Sequence, residues 1–294
     1  MDLSSILKIN NVDFEIESSI GEGAQGDIYS AVNHESGISM AIKISDFTQA
    51  GKWRNFIIET DAIRTLQPWR FRYLCNILDF YEDDTFGIIA MEEYDCDLFD
   101  FAVEQNRGIG EDLGRSIFQK ICIGLKSMHS SGIAHLDIKP ENIMYNLNTD
   151  TPYIGDFGCC YNFVQNRKCV SRRGTTFFHP PEYANQKSFN PRKSDVFSLG
   201  VTLHILLTGL FPYDVSDEID KRKYFIDESL SPECRHLIKR MLKKNPKKRI
   251  SLKDVMNHPW LLNIKQESKL RKATNSLTKS ANGMLNWSLQ RIQK

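Results

Sequence analysis

The stretch His135-Leu136-Asp137-Ile138-Lys139-Pro140-Glu141-Asn142, followed downstream by Asp156-Phe157-Gly158, decides how this chain is read. It brings carboxylates, a carboxamide and an ammonium group into two short segments. Transfer of a phosphoryl group needs charge neutralisation, a carboxylate to orient the attacking hydroxyl and oxygen ligands for magnesium. In that chemistry Asp137 supplies the orienting carboxylate, Asn142 and Asp156 the metal ligands, and Lys139 a cation beside the transferred group.

Upstream lies the run Ile20-Gly21-Glu22-Gly23-Ala24-Gln25-Gly26-Asp27-Ile28. Its glycines let backbone N–H groups approach phosphate oxygens without a Cβ in the way. Alone the pattern also suits an ordinary glycine-rich turn. A dinucleotide fold would open a helix straight after the glycines, but Asp27 to Val32 runs on as a β-like segment. The expectation is a loop that caps a nucleotide from a hairpin. In Ala41-Ile42-Lys43 the lysine follows this loop, and Glu59 on the next helix is the acid that would hold it toward the α- and β-phosphates.

The region from Phe14 to Phe86 reads as short strands, such as Ile28 to Val32 and Ser39 to Ile44, with turn signals between them. One helix, Trp53 to Leu66, interrupts it. From Leu98 onward helical patterns dominate: Leu113 to His129, Asp195 to Leu207, and Pro232 to Leu242, capped by Ser231. The predicted class is α+β, a small β-rich lobe joined near Met91 to Asp97 to a larger helical one. The expected division is an N-terminal extension (1–13), one domain (14–262, lobes about 14–91 and 97–262) and a basic polar tail (263–294).

At 294 residues, 41% hydrophobic and 26% charged, the composition is that of a globular protein. A net charge of +1 gives no support to nucleic-acid binding. Seven cysteines without a CxxC pair argue against a disulfide framework or zinc site, and for a reducing interior. The N-terminus lacks a basic segment followed by an apolar core, so no secretory signal is expected. The most apolar stretch, Phe197 to Phe211, is too short to span a bilayer and reads as a buried helix. An intracellular protein, cytoplasmic or nuclear, is expected.

Taken together these segments resemble the eukaryotic protein kinase family over roughly Phe14 to Leu262. Gly174-Thr175 and Pro180-Pro181-Glu182 resemble the end of its activation segment, with Pro180 where alanine is usual. Asp195 resembles the residue anchoring the catalytic loop, and Arg249 the arginine pairing with Glu182. The ending Val255 to Trp260 is similar to the calcium/calmodulin-dependent and AMP-activated kinases. The resemblance implies ATP and Mg2+ as cofactors, protein substrates, and catalytic roles for Asp137, Lys139, Lys43, Glu59 and Thr175. It implies Ile28, Ala41 and Met144 around adenine, Met91 as gatekeeper, Glu92 to Tyr94 at the base, and Asp97 near the ribose. His135, Phe157, Ile63 and Phe80 would form an internal spine.

Lys139 and Thr175 match the serine/threonine branch rather than the tyrosine one. Asp97 and Glu141 match positions where relatives hold an arginine three residues before the phosphorylated hydroxyl. Within the chain Lys168 precedes Ser171 by that spacing, which suggests autophosphorylation there. Leu136 departs from the family: an arginine there would neutralise a phosphate on the activation loop. Cys159 and Cys160 read as small buried residues. The tail, with Leu270, Leu277 and Met284 at seven-residue spacing, could dock a regulatory partner as a basic amphipathic helix. The alternatives are a non-catalytic binding scaffold on the same fold and a small-molecule phosphotransferase.

Overall fold

A computed structural model describes residues 7–9, 12–22, 26–33, 36–105, 108–164 and 169–262. The N-terminal lobe is built from β1 (Leu7–Ile9), β2 (Val12–Glu22), β3 (Asp27–Asn33), β4 (Ser39–Asp46), helix α1 (Lys52–Leu66), β5 (Ile77–Glu82) and β6 (Phe86–Glu92). Its strands form one antiparallel sheet in the order β1-β2-β3-β4-β6-β5. The sheet starts ahead of Phe14, because Leu7 to Ile9 pairs with Val12 to Phe14 as an edge strand.

Strand alternation sorts the sheet residues between two faces. Met40 and Ile42 of β4 and Ile88 and Ala90 of β6 bury together on one face with Phe14 and Ala31. Ala41 and Lys43 therefore point the other way, paired in register with Met91 and Ile89. Ile89 and Met91 belong to the large core shared with α1 and the second lobe. The period of two thus aims Lys43 into the interlobe space.

The second lobe contains β7 (Cys96–Asp97), α2 (Leu98–Glu104), α3 (Glu111–Ser130), β8 (Ile133–Ala134), β9 (Ile143–Asn146), β10 (Thr151–Ile154), β11 (Tyr161–Asn162), α4 (Glu182–Asn185), α5 (Pro191–Thr208), α6 (Pro232–Met241), α7 (Leu252–Met256) and α8 (Pro259–Leu262). Helix α5 starts at Pro191 because the Asn190 side chain accepts from Arg192 N–H. It is buried on nearly every side, so its apolar run is a core helix. No described helix is long and apolar enough to cross a membrane.

Candidate active site

Lys43, 5% exposed, donates from Nζ to Glu59 Oε2 at 2.8 Å and to Asp156 Oδ1 at 2.9 Å. Glu59 reaches it from α1, and Asp156 from the turn after β10. Burial works against the charged lysine, but the two carboxylates outweigh it and raise its pKa above the ordinary value. Asp156 is held below the usual carboxylate range: burial pushes it up, and Lys43 more than reverses that. Burial wins at Glu59, which is raised in spite of Lys43. The two acids are thus shifted in opposite directions, Asp156 down and Glu59 up.

The geometry of the Asp137 loop hangs from Asp195, which is fully buried on α5. Its carboxylate accepts from His135 N at 3.0 Å and Leu136 N at 2.7 Å, and lies 2.7 Å from His129 Nε2. These bonds hold Leu136 at a φ of 63°, a conformation a side chain usually avoids. His135 Nε2 lies 2.8 Å from Gly155 O, and its Nδ1 accepts from Asp137 N at 3.2 Å, which fixes the proton on Nε2. One imidazole thus ties the Asp137 loop to the Asp156 turn.

Asp137 Oδ1 accepts from Thr175 N at 2.7 Å, and Oδ2 from Asn142 Nδ2 at 3.1 Å. Lys139 Nζ lies 2.9 Å from Thr175 Oγ1 and 3.9 Å from Asp137 Oδ2. Gly174 makes this approach possible: it sits at φ 93°, and a Cβ there would lie 2.3 Å from Leu136 O. Since Asn142 donates through its nitrogen, its amide oxygen is left as an acceptor. That oxygen and the Asp156 carboxylate are hard donors of the kind that would suit Mg2+.

The residues expected around a nucleotide lie on paired strands within each lobe. Gly21 pairs with Ile28, Glu22 with Asp27, Ile28 with Lys43, Ala41 with Met91 and Met144 with Asp97. Ile20 is 50% exposed, and Ala41 is buried. Gly26 is obligatory, because a Cβ would meet Ile44 O at 2.6 Å. Gly23, Ala24 and Gln25 lie outside the described residues. Past Met91, Glu92 N donates to Asn76 O at 2.9 Å and Tyr94 packs on Tyr153 at 4.8 Å, which fixes the connection. Asp97 caps α2 by accepting from Phe99 N and Asp100 N.

His135 and Phe157 meet edge to face at 6.1 Å, and Phe157, Ile63 and Phe80 share the large core. Burial, then Asp137 and Asp156, pushes the Cys159 thiol up to about 12, so it is no nucleophile at neutral pH. Two groups had no sequence signal. His129 is a mid-helix residue that reaches Asp195. Arg222 is buried over the Tyr213 ring at 4.4 Å and donates to Thr176 O and Phe177 O at 3.4 Å each.

Leu136 is 4% exposed in a cluster with Ala134, Cys169, Tyr183 and Phe189. It fastens the segment after Asp156 by apolar contact, where an arginine would need a phosphate. Cys169 and Phe189 exchange backbone hydrogen bonds at 2.9 Å on the same spot. Leu136→Ala is expected to cost about 2–3 kcal/mol by leaving a cavity, read as a lowered urea midpoint at unchanged slope. An unchanged midpoint would mean the cluster does not bear on stability.

A Lys–Glu–Asp triad on the inner side of the sheet, tied through His135 to a carboxylate loop anchored from a buried helix, fits a two-lobed phosphotransferase architecture. Consistent with it, the protein kinase domain family matches residues 14–261, and the chain belongs to that family. It is 30% identical over 261 residues to the maternal embryonic leucine zipper kinase of Xenopus tropicalis, covering 85% of this chain and 39% of that protein. To the SNF-related serine/threonine-protein kinase of Homo sapiens it is 25% identical over 258 residues, covering 85% and 34%. A SNF1-related protein kinase catalytic subunit alpha of Arabidopsis thaliana is 30% identical over 260 residues, covering 85% and 51%. The chain spans about a third to a half of the length of these curated relatives.

Proposed function

We propose that the chain transfers the γ-phosphoryl group of ATP to serine and threonine hydroxyls of proteins. The observation that carries this is the Asp137 carboxylate held by Thr175 N–H and Asn142, with Lys139 on the Thr175 hydroxyl. Asp137 orients the substrate hydroxyl and accepts its proton. The hydroxyl oxygen bonds to the γ-phosphorus as the bond to the bridging oxygen breaks, and ADP leaves. Lys139 neutralises the phosphoryl oxygens, and Lys43, steadied by Glu59, holds the α- and β-phosphates. Asp156 and the Asn142 oxygen would hold Mg2+, which supplies charge neutralisation when bound. Ile28, Ala41 and Met144 enclose adenine, with the backbone from Glu92 to Tyr94 at its edge. The catalytic unit is residues 14–262. The tail, which lies outside the described residues, is its regulatory contact, and seven free cysteines agree with an intracellular setting.

Substrates with upstream arginine or lysine fit this site. Glu141 Oε2 is buried without a hydrogen-bond partner, and burial together with Asp100 and Glu141 pushes Asp97 up. A guanidinium between Glu141 and Asp97 would relieve both. A positional-scanning peptide library with Mg-ATP should show basic selection three residues before serine or threonine, and none for tyrosine. No turnover by a protein that binds ATP, with Lys43→Met as the control, would favour the scaffold reading.

Order in the activation segment here rests on Leu136, on Arg173 Nη1 donating to Cys160 O at 2.7 Å and on Arg172 Nη2 donating to Gln186 O at 2.7 Å. None of these contacts needs a phosphate. Phosphatase-treated protein, checked by mass spectrometry, is therefore expected to keep most of its kcat. Negligible turnover restored by phosphorylation at Ser171 or a neighbour would refute this.

A further inference from the structure

A cavity of 730 Å³ lies away from the cleft, between the end of α3, the start of α5 and α7. Lys126, Arg192, Lys193 and Lys253 line it, and none of its described lining residues is an acid. No carboxylate forms an ion pair with any of the four among the described residues. Lys193 donates to the carbonyl of Arg249, itself a cation, and Arg192 lies over the Phe163 ring at 5.2 Å. Asp254 acts on Lys193 and Lys253 without forming an ion pair with either, and its carboxylate accepts from Ser251 Oγ at 2.6 Å as part of the α7 cap. Like charges in one concavity repel, and the amino end of the long helix α5 adds to the positive potential. Burial and Arg249 lower the Lys193 pKa, and Asp254 offsets them only in part.

The floor of the cavity distinguishes among anions. Val196, Leu252 and Met256 form it, an apolar surface for which a free phosphate has no use. No Phe, Tyr or Trp lines it to stack a base. An acidic peptide with an apolar side chain satisfies both rim and floor. We propose that this groove docks an acidic, leucine-bearing segment of a protein partner. His129 lines the same groove while holding Asp195, so the docked segment lies one side chain from the anchor of the catalytic loop.

The test is fluorescence polarisation with a fluorescein-labelled peptide of glutamates around a central Leu-Leu pair. The full chain should bind it saturably and more weakly as salt rises. The variant Lys126→Glu/Arg192→Glu/Lys253→Glu should lose affinity roughly tenfold or more, as attractive pairs become repulsive, with circular dichroism and phosphorylation of a short serine peptide unchanged. Should that variant fold poorly, Arg192→Ala/Lys253→Ala serves, with a loss of about three- to tenfold expected from neutralisation alone. Equal binding by wild type and folded variant would overturn the proposal, as would no saturable binding by wild type or stronger competition by oligo-dT than by unlabelled peptide. The assay uses no nucleotide, so its failure leaves the phosphotransferase reading untouched, and a loss of turnover leaves this one standing.

Discussion

Asp137→Asn is expected to lower kcat by roughly 10²–10⁴-fold, the range a positioned general base contributes, with ATP affinity nearly unchanged. The split follows from the geometry. Lys43, proposed to hold the phosphates, and its partners Glu59 and Asp156 make no hydrogen bond to Asp137. Asp137 instead sits among donors: Thr175 N–H on one oxygen, Asn142 Nδ2 on the other, Lys139 nearby. An asparagine must turn its own NH2 toward one of those donors, so the side chain loses a bond as well as its basicity. Steady-state kinetics on a serine peptide, alongside titration of a fluorescent ATP analogue, separates the two constants. A kcat within severalfold of wild type would remove Asp137 from the reaction, and a matching loss of ATP affinity would show that the substitution damaged the cleft instead.

Much of this site was legible because its chemistry is concentrated in short segments. His135 to Asn142 and Asp156 to Gly158 announced the carboxylate and amide set, and Lys43 with Glu59 announced the ion pair beside it. The fold class followed from periodicity: alternation in Ser39 to Ile44 became β4, and the pattern at Trp53 to Leu66 became α1. Helix starts ran ahead of the apolar pattern. Helix α5 begins at Pro191 rather than Asp195, and the Asn190-Pro191 cap was the signal available. Side-chain pairings across long separations were not legible. His129 looks like any helix residue until folding carries it to Asp195, and Arg222 gives no sign that it will be buried under the segment it supports. Leu136 was visible as a departure, but its apolar partners Cys169, Tyr183 and Phe189 come from distant stretches that only tertiary packing assembles. The cationic groove is a similar case, since Lys126, Arg192 and Lys253 come from three separate helices.

Arg249→Met is expected to destabilise the protein by about 3–5 kcal/mol, the cost of leaving a buried charge without its partner. Arg249 and Glu182 have no side-chain exposure and meet in two parallel bonds, Nη1 to Oε1 and Nη2 to Oε2, at 2.7 Å each. Arg249 also donates from Nη1 to Lys193 O at 2.6 Å and from Nε to Lys243 O at 3.1 Å, and lies over Phe197 at 5.0 Å. One guanidinium therefore joins α4, the start of α5 and the loop after α6, and its removal strands the Glu182 carboxylate in a dry interior. For a domain of this size the loss corresponds to a fall in Tm on the order of 10 °C, measurable by differential scanning calorimetry. Glu182→Leu alone should cost a similar amount, because it strands the arginine instead. Combining the two removes both charges, so the double variant should recover most of the loss, since desolvation cancels much of what the pair gains. Strictly additive losses would mean that the carbonyl contacts of Arg249, rather than its pairing with Glu182, carry the stability.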